Sequence, residues 1–394
     1  MISLTPKHAT IFCMSKNQLV DVFKWTGFVL LALAPFALFY VNAYQLFPFV
    51  TGKAFVWRSI VTILLFAWIS AALLDPRFRF SWKHPLFLSV TAFIGVMTLA
   101  TIFGDNPYRS FWSNAERMRG LVALLHLYAY FIAFIGFVRD RSHAHWIMAG
   151  LLVVGFISGL LGISQIGEKS RIDATLGNPI YLGAMSLLAI YISGYFFFLK
   201  ETFVGFGQTT RKVFFGILAL FFLWILFETG TRGALVGLGG GVIATAVAVL
   251  LLSKDPAEKV WRRISIVGLV LVAVFAGLFI FARQPLQDSS VVQAVPLLER
   301  TFSISLEDDN TVHRLENWKM GIEGFMDRPI LGWGPESYIT VFSRYYDPTE
   351  LWDAEEWFDR SHNSYVDLLV FGGILGLLSY AAIFVINFTS FLQF

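Results

Sequence analysis

Residues 264–282 read ISIVGLVLVAVFAGLFIFA, an apolar run of 19 residues without a charged side chain. A run of this length crosses the ~30 Å hydrocarbon core of a bilayer as an α-helix. Inside lipid the backbone polar groups have no water to bind, so only helices or closed barrels satisfy them. A polar stretch from Arg283 to His362 follows before apolar sequence resumes. The pattern predicts a membrane protein with one long loop outside the bilayer.

The composition extends this interpretation to the whole chain. Of 394 residues, 56% are hydrophobic and only 14% are charged, whereas a soluble domain carries ~25% charged residues. Recurring apolar runs therefore predict an all-α, polytopic helical membrane protein with about ten transmembrane helices. The predicted spans are 25–44, 55–74, 85–104, 120–138, 145–166, 179–199, 213–228, 233–252, 264–282 and 363–387.

The basic residues of the short loops predict the orientation. The N-terminal segment and the loops after the second, fourth, sixth and eighth spans are rich in Lys and Arg, which the positive-inside rule places in the cytoplasm. The loops 104–119, 167–178, 228–232 and 283–362 then face outward. The basic residues are Lys7, Lys16, Lys24, Arg77, Arg79, Lys83, Arg139, Arg141, Lys200, Arg211, Lys212, Lys254, Lys259, Arg262 and Arg263.

Three segments follow from these spans. Residues 1–282 hold nine spans with the N-terminus in the cytoplasm, and no small-x-small cleavage site removes the first of them. Residues 283–362 form a loop domain outside the cytoplasm that contains short helices. Residues 363–394 hold the tenth span and a short tail, and the apolar end of this tail predicts a chain cut before further spans.

Several classes of function are excluded by what the sequence contains. A net charge of +3 is small and spread over the loops, so the charge does not indicate nucleic acid as a partner. Cys13 is the only cysteine, which rules out an intrachain disulfide and a multi-cysteine metal site. The seven histidines form no HExxH motif, and we predict neither a metal nor another cofactor.

An arginine stands where the outward turn 228–232 enters the eighth span. The sequence Glu228-Thr-Gly-Thr-Arg232-Gly-Ala-Leu-Val supplies threonines that can cap a helix and glycines that allow close approach. A helix N-terminus carries partial positive charge, so Arg232 there predicts an anion site. The alternative is an arginine that only snorkels to the membrane interface.

A second arginine belongs to the long loop. The segment Asn310-Thr-Val-His-Arg314-Leu-Glu-Asn-Trp-Lys-Met-Gly-Ile-Glu-Gly-Phe predicts an amphipathic helix with Arg314 in its first turn. The sequence 327–329 ends it, and Leu331-Gly-Trp-Gly-Pro335 predicts a tight turn against the membrane. Arg314 is either a ligand-binding arginine or an ordinary surface arginine.

The exit of the loop carries a histidine and several polar neighbours. In Arg360-Ser-His362-Asn363-Ser-Tyr-Val-Asp367, a histidine with an ordinary pKa of ~6.5 suits a general base at the membrane surface. Asp367 would lie inside the tenth span, where an ionisable residue usually has a partner or lines a cavity. An interface histidine with Asn363 as a helix cap is the alternative.

Two other outward loops contribute polar residues. Tyr108-Arg109-Ser-Phe-Trp-Ser-Asn-Ala-Glu116-Arg117-Met-Arg119-Gly120 precedes the fourth span, and Thr175-Leu-Gly177-Asn178-Pro179 precedes the sixth. We predict that Arg117, Arg119 and Asn178 bind substrate, as Arg360, Asn363 and Asp367 do. Helix-start chemistry alone is the alternative, above all for Asn178.

Together these segments resemble the superfamily of O-antigen ligases and O-antigen polymerases. The likeness rests on Thr231-Arg-Gly-Ala-Leu-Val-Gly-Leu, Arg314-Leu-Glu-Asn-Trp-Lys-Met-Gly, Leu331-Gly-Trp-Gly-Pro and His362-Asn-Ser-Tyr-Val-Asp-Leu-Leu-Val-Phe-Gly-Gly-Ile-Leu-Gly. The His-Asn segment followed by glycines is the most specific of these. The family's essential arginines fall on Arg232 and Arg314, and its histidine falls on His362.

The resemblance implies an activity. It indicates a metal-independent, inverting glycosyltransferase of the C class in the cytoplasmic membrane, with the active site on the outer, periplasmic side. The donor would be a glycan on undecaprenyl diphosphate. The acceptor would be a hydroxyl of lipid A core, a growing polysaccharide or a surface protein.

Other interpretations remain open at this point. Aromatic residues of the loop could stack on sugars or anchor the interface, namely Trp333, Tyr338, Tyr345, Tyr346, Trp352 and Trp357. A transporter or flippase of the same lipid-linked glycan would carry charges near mid-span or paired broken helices. A non-catalytic assembly subunit would not need arginine and histidine on one face.

Overall fold

The chain is a polytopic helical membrane protein, which confirms the predicted fold class. The computed structural model describes residues 14–199, 205, 207–252, 259–294, 298–299, 302, 309–348 and 357–392. Lys7, Cys13, Lys200, Lys254 and Trp352 lie outside these ranges. The α-helices are α1 (Lys16–Leu33), α2 (Thr51–Leu74), α3 (Pro85–Phe103), α4 (Pro107–Trp112), α5 (Leu121–Phe137), α6 (Arg141–Ile163), α7 (Pro179–Phe198), α8 (Gln208–Glu228), α9 (Arg232–Leu252), α10 (Lys259–Phe281), α11 (Arg283–Gln287), α12 (Ser290–Gln293), α13 (Asp309–Asp327), α14 (Tyr338–Tyr345) and α15 (Ser364–Leu392).

Each of the ten predicted spans falls on one helix. Among the described residues, nine helices are long and apolar enough to cross a membrane. The tenth, α5, has 17 residues and is therefore ~25 Å long. That length is at the lower limit for a membrane-spanning helix.

The predicted bounds of the first span, 25–44, were wrong. Its helix starts at Lys16, where Ser15 and Gln18 form a capping box, and this cap satisfies N–H groups that the helix itself leaves unpaired. Regular α-helix ends at Leu33 and continues as a 3₁₀ segment, Ala34–Phe39. Pro35 has no N–H to donate to the preceding turn, so the apolar sequence beyond it does not extend the helix to residue 44.

Three helices begin with the same combination of a capping side chain and a proline. Each of α3, α4 and α7 begins with proline, and the preceding side chain accepts a hydrogen bond from the first turn. Proline suits the first helical position because its missing N–H would be unpaired there anyway. The three capping residues are His84, Asn106 and Asn178.

The chain divides into two compact units. The first comprises the described parts of Met1–Ala37, Asn42–His145 and Asp309–Phe394. Within it, α15 packs against α3, and α13 and α14 pack against α15. The core under these helices consists of Met320, Trp333, Tyr338, Val341, Phe342, Phe358, Val370 and Phe371.

In the first unit, the last membrane helix is broken by an inserted turn. α15 leaves helical geometry at Gly373, and Trp333 N and Gly334 N donate to the carbonyl oxygens of Val370 and Phe371 at 2.7 and 3.1 Å. The turn 331–335 predicted from the sequence therefore replaces hydrogen bonds that the helix loses. Inside a membrane, non-helical backbone is tolerated only where other protein groups pair it.

The second unit comprises the described parts of Leu38–Val41 and Trp146–Asp308. Its helices α7, α8 and α9 pack together, and α10 packs against α9. Gly183 of α7 lies close to the turn between α8 and α9, because an added Cβ would meet Thr231 at 3.0 Å. The unit thus holds the start of α7 and the start of α9 side by side.

Candidate functional site

Polar loops of the first unit meet in a cluster of charged side chains. It joins the loop between α3 and α5, the turn before α14 and the segment before α15, and all three were predicted to face outward. We call it the charged cluster, and it consists of Arg117, Glu336, Asp359, Arg360, His362 and Asp367.

His362 precedes α15 in an unusual backbone conformation. Its φ is +56°, in the left-handed region that non-glycine residues rarely adopt. The buried Ser361 fixes the chain on one side, because its N and Oγ donate to Asp367 Oδ1 at 2.9 and 2.8 Å. Phe358 meets the His362 ring edge-on, with 5.7 Å between ring centroids. The histidine itself is exposed, so its ring is held in place and accessible.

The surroundings of His362 favour its neutral form. Partial burial is the main cause that lowers the pKa of His362 below its ordinary value of 6.5, and the positive charges of Arg314 and Arg117 lower it further. Asp367 and Asp359 oppose this shift without cancelling it. A neutral imidazole at pH 7 can accept a proton, as a general base must.

Arg314 lies on α13, near enough for its charge to act on His362. The helix begins at Asp309, which places Arg314 in the second turn and makes the predicted first turn wrong. The arginine is exposed. The Asn317 side chain, one turn further on, is fully buried and accepts a hydrogen bond from Tyr338.

Arg117 and Asp359 form a two-point ion pair. Arg117 Nε and Nη2 donate to the two carboxylate oxygens of Asp359 at 2.8 and 2.7 Å. Burial alone raises the pKa of Asp359, but the hydrogen bonds and charge of Arg117 outweigh it, so the pKa is lower than usual. Arg117, predicted to bind substrate, therefore ties its loop to the segment that carries His362.

Glu336 links three parts of the first unit and was not predicted. The residue is 5% exposed and has a φ of +63°. Its carboxylate accepts hydrogen bonds from Ser113 Oγ at 2.9 Å and from Arg360, and its carbonyl oxygen accepts one from Arg109 Nε at 3.0 Å. A single glutamate after Pro335 gives no sequence signal for such a role, because its partners are distant in the chain.

Arg360, Asn363 and Asp367 have structural contacts of their own. Arg360 lies between Glu336 and Asp367, with 3.8 Å from its Nη1 to Asp367 Oδ2. Asn363 Oδ1 accepts a hydrogen bond from Tyr365 N at 3.0 Å and so caps the first turn of α15. Arg119 is exposed next to the start of α5. Their predicted role in substrate binding stays a prediction.

Unusual backbone conformations concentrate around this cluster. Among the described residues, five non-glycine positions have positive φ, and four of them belong to the loops that form it. Such conformations cost ~1–3 kcal/mol each and persist only where surrounding contacts enforce them. The four residues are Ser113, Met118, Glu336 and His362.

The aromatic residues of the long loop differ in exposure. Trp333 and Tyr338 are 2% and 0% exposed and belong to the core, so neither of the two roles left open for them, sugar stacking or interface anchoring, applies. Trp357 is 67% exposed and Tyr346 is 38% exposed. These two remain available for a sugar ring or for the membrane interface.

Arg232 and Asn178 belong to the second unit. Arg232 is the first residue of α9, at the helix start where the sequence predicts it, and the structure shows it half-buried. Asn178 Oδ1 accepts a hydrogen bond from Ile180 N at 2.9 Å, which is the capping role that we named as its alternative. An arginine that was not predicted contacts the turn before Arg232: Arg171 donates to Thr229 O and Thr231 Oγ1 at 2.8 and 3.3 Å.

The sequence also matches a known protein family. The family model described as O-antigen ligase matches residues 217–381. The matched segment covers less than half of the chain, and it is similar to O-antigen ligases. The matched segment contains Arg232, Arg314 and His362, the positions on which the family's essential arginines and histidine fall by resemblance. No curated protein sequence matches the chain.

Proposed function

We propose that the chain is a glycosyltransferase that moves a glycan from undecaprenyl diphosphate to a hydroxyl acceptor. An O-antigen ligase domain supports an enzyme of ligase or polymerase type that acts on polysaccharide. The observation that carries the finer proposal is His362, an exposed histidine whose pKa is lowered by partial burial and by the charge of Arg314. It is a proton acceptor within electrostatic reach of a positive charge.

In the proposed reaction the acceptor hydroxyl oxygen bonds to the anomeric carbon of the donor sugar. The bond between that carbon and the diphosphate oxygen breaks on the opposite face, so the configuration inverts. His362 takes the hydroxyl proton, and undecaprenyl diphosphate leaves with the bonding electrons. A neutral imidazole is the form needed at the start, which fits the lowered pKa of His362.

The arginines stabilise the leaving group in this proposal. Negative charge grows on the diphosphate as the sugar–oxygen bond breaks, and guanidinium groups bind phosphate oxygens in pairs while staying charged. Arg314 and Arg232 are assigned this role, which requires both to act on the same diphosphate. Fixed positive charge at a developing anion lowers the barrier in the way that a metal ion does elsewhere.

The proposal includes no metal or other cofactor. Within the described ranges, no group of three or more His, Cys, Asp or Glu side chains is arranged to hold a metal ion. The enzyme is further proposed to lie in the cytoplasmic membrane with its site on the outer, periplasmic face. The acceptor stays open between lipid A core, a growing polysaccharide and a surface protein.

A transfer assay tests the proposal. Full-length protein in liposomes is given undecaprenyl-diphosphate-linked glycan and candidate acceptors, with and without a chelator. We expect glycosylated acceptor and free undecaprenyl diphosphate in equal amounts in both conditions. Donor that crosses the bilayer intact, without cleavage, would indicate a flippase instead. Activity that a chelator abolishes and Mg²⁺ restores would contradict the two-arginine mechanism.

A further inference from the structure

Arg171 forms hydrogen bonds to the turn that precedes Arg232, the first residue of α9. It lies in the loop between α6 and α7 and is half-buried. Its Nε donates to Thr229 O at 2.8 Å, and its Nη2 donates to Thr231 Oγ1 at 3.3 Å. These two acceptors belong to residues within three positions of Arg232, so one guanidinium holds the turn at two points.

The turn itself is buried and closely packed. Thr229 and Thr231 are 0% and 5% exposed, and Gly230 between them has a φ of +57°. Thr231 Oγ1 donates to Pro179 O at 3.2 Å, and Thr231 O accepts from Ala234 N at 3.1 Å. The hydroxyl that binds Arg171 therefore also connects the starts of α7 and α9.

The loop that carries Arg171 has its own internal support. Gln165 Oε1 accepts hydrogen bonds from Asp173 N and Ala174 N, both at 2.9 Å, and Gln165 Nε2 donates to Ala174 O at 3.0 Å. Ile172, next to Arg171, is 2% exposed and packs in the core of the second unit. The loop therefore holds Arg171 in a fixed position, and Arg171 can in turn hold the turn before α9 in place.

We propose that Arg171 is a positioning residue that sets the direction of Arg232 toward the donor diphosphate. The inference rests on the proposed function, because it assumes that Arg232 binds that diphosphate. Arg171 lies outside the segment that matches the O-antigen ligase family. A displacement of ~1 Å at a group that binds the reacting centre can lower the reaction rate ~10²-fold. Loss of the support from Arg171 should therefore have a measurable effect on how Arg232 binds the donor.

Binding of two lipids to the full chain in detergent tests the inference. Undecaprenyl diphosphate contains the leaving group whatever the sugar is, and undecaprenol lacks the phosphates. For R171A we expect affinity for undecaprenyl diphosphate to fall ~10-fold or more, with affinity for undecaprenol unchanged. A damaged fold would lose both. R171K should lie between wild type and R171A, because an ammonium group is a single point of attachment.

A double-mutant cycle separates positioning from an independent contact. If Arg171 acts through Arg232, the double variant R171A/R232A binds undecaprenyl diphosphate as R232A does. K169A is the matched control, since Lys169 is a cation in the same loop whose ion pair with Asp173 is partly exposed, and we expect wild-type affinity. Should R171A fail to accumulate, T231V removes the hydroxyl acceptor and T231S retains it, so only T231V should weaken binding.

Different results would overturn different claims. Wild-type affinity in R171A and T231V, or losses that multiply in the double variant, would reject the positioning role. Unchanged affinity in R232A would instead reject the proposed role of Arg232 in donor binding. The two failures are therefore distinguishable in one set of measurements.

Discussion

At the scale of single residues, the charges around His362 set the pH at which it can accept a proton. Arg117 lowers the pKa of His362, and Asp359 raises it. In R117Q one positive charge is lost and the charge of Asp359 is no longer paired, so both changes favour the protonated imidazole. Since the base must be neutral, we expect the acidic limb of the kcat profile to move to higher pH than in wild type. Transfer rates measured from pH 5 to 8 check this.

A substitution at Asp359, whose charge has the opposite effect on the pKa of His362, supplies the control. D359N removes a negative charge that favours the protonated imidazole and leaves the positive charge of Arg117 unpaired, so both changes favour the neutral imidazole. The acidic limb should therefore lie below that of R117Q and not above that of wild type. Equal profiles for R117Q, D359N and wild type would show that the titrating group is not His362.

The transfer rate should depend on both the charge and the planar shape of the two guanidinium groups that are proposed to bind phosphate. R232A and R314A are each expected to lower the transfer rate by ~10³-fold, as loss of an arginine that stabilises phosphoryl charge does elsewhere. R232K and R314K should also lose most activity, because a point charge does not reproduce paired N–H groups. The measurement is single-turnover transfer, with R344A on the surface of α14 as a control. A lysine variant at wild-type rate would contradict paired binding.

At the scale of elements, the turn inserted at the break in α15 needs a glycine at residue 332. Gly332 has a φ of +66°, and an added Cβ would lie 2.4 Å from Val370 O. In G332A, the left-handed conformation alone costs ~1–2 kcal/mol, so we expect a lower unfolding temperature in detergent and less transfer. At Gly95 of α3 an added Cβ meets no atom within 4 Å. G95A should therefore be as stable as wild type, and equal loss in both variants would contradict this account.

The helices and turns that could be predicted are those whose sequence signals lie within the element itself. Apolar runs located each membrane helix in the described part of the chain, and the turn 331–335 followed from its glycines and proline. The capping box at Ser15 and the 3₁₀ segment after Leu33 shifted the first span, because hydropathy alone does not mark where a helix starts. The break at Gly373 depends on a partner turn outside the helix, which periodicity within the helix does not reveal.

The sequence identified the main residues of the candidate site but few of the contacts between them. His362 and Arg314 were selected as chemical groups at loop boundaries, and their electrostatic coupling required the fold. Glu336 and Arg109 are 227 positions apart in the chain, and no spacing rule connects such residues. Arg171 was missed because its partners, Thr229 and Thr231, come from another helix connection.

At the scale of the whole molecule, the arrangement of basic loops predicts the topology. Reporter fusions at Asp105, Glu168 and Asp309 should report the outer side, and fusions at Arg79 and Lys259 the cytoplasmic side. Within the first unit, Arg139 donates to the carbonyl oxygen of Arg79, so the two predicted cytoplasmic loops lie at one end. A fusion at Asp309 that reports the cytoplasm would reject both the orientation and the site.

The proposed mechanism requires that Arg232, Arg314 and His362 act on one bound donor. A structure of the full-length protein with undecaprenyl-diphosphate-linked glycan tests this most directly. We expect both guanidinium groups at ~2.7–2.9 Å from oxygens of the same diphosphate, with the His362 ring facing the anomeric carbon from the side opposite the leaving group. A diphosphate bound without either arginine, or a His362 ring that faces away from the sugar, would contradict it.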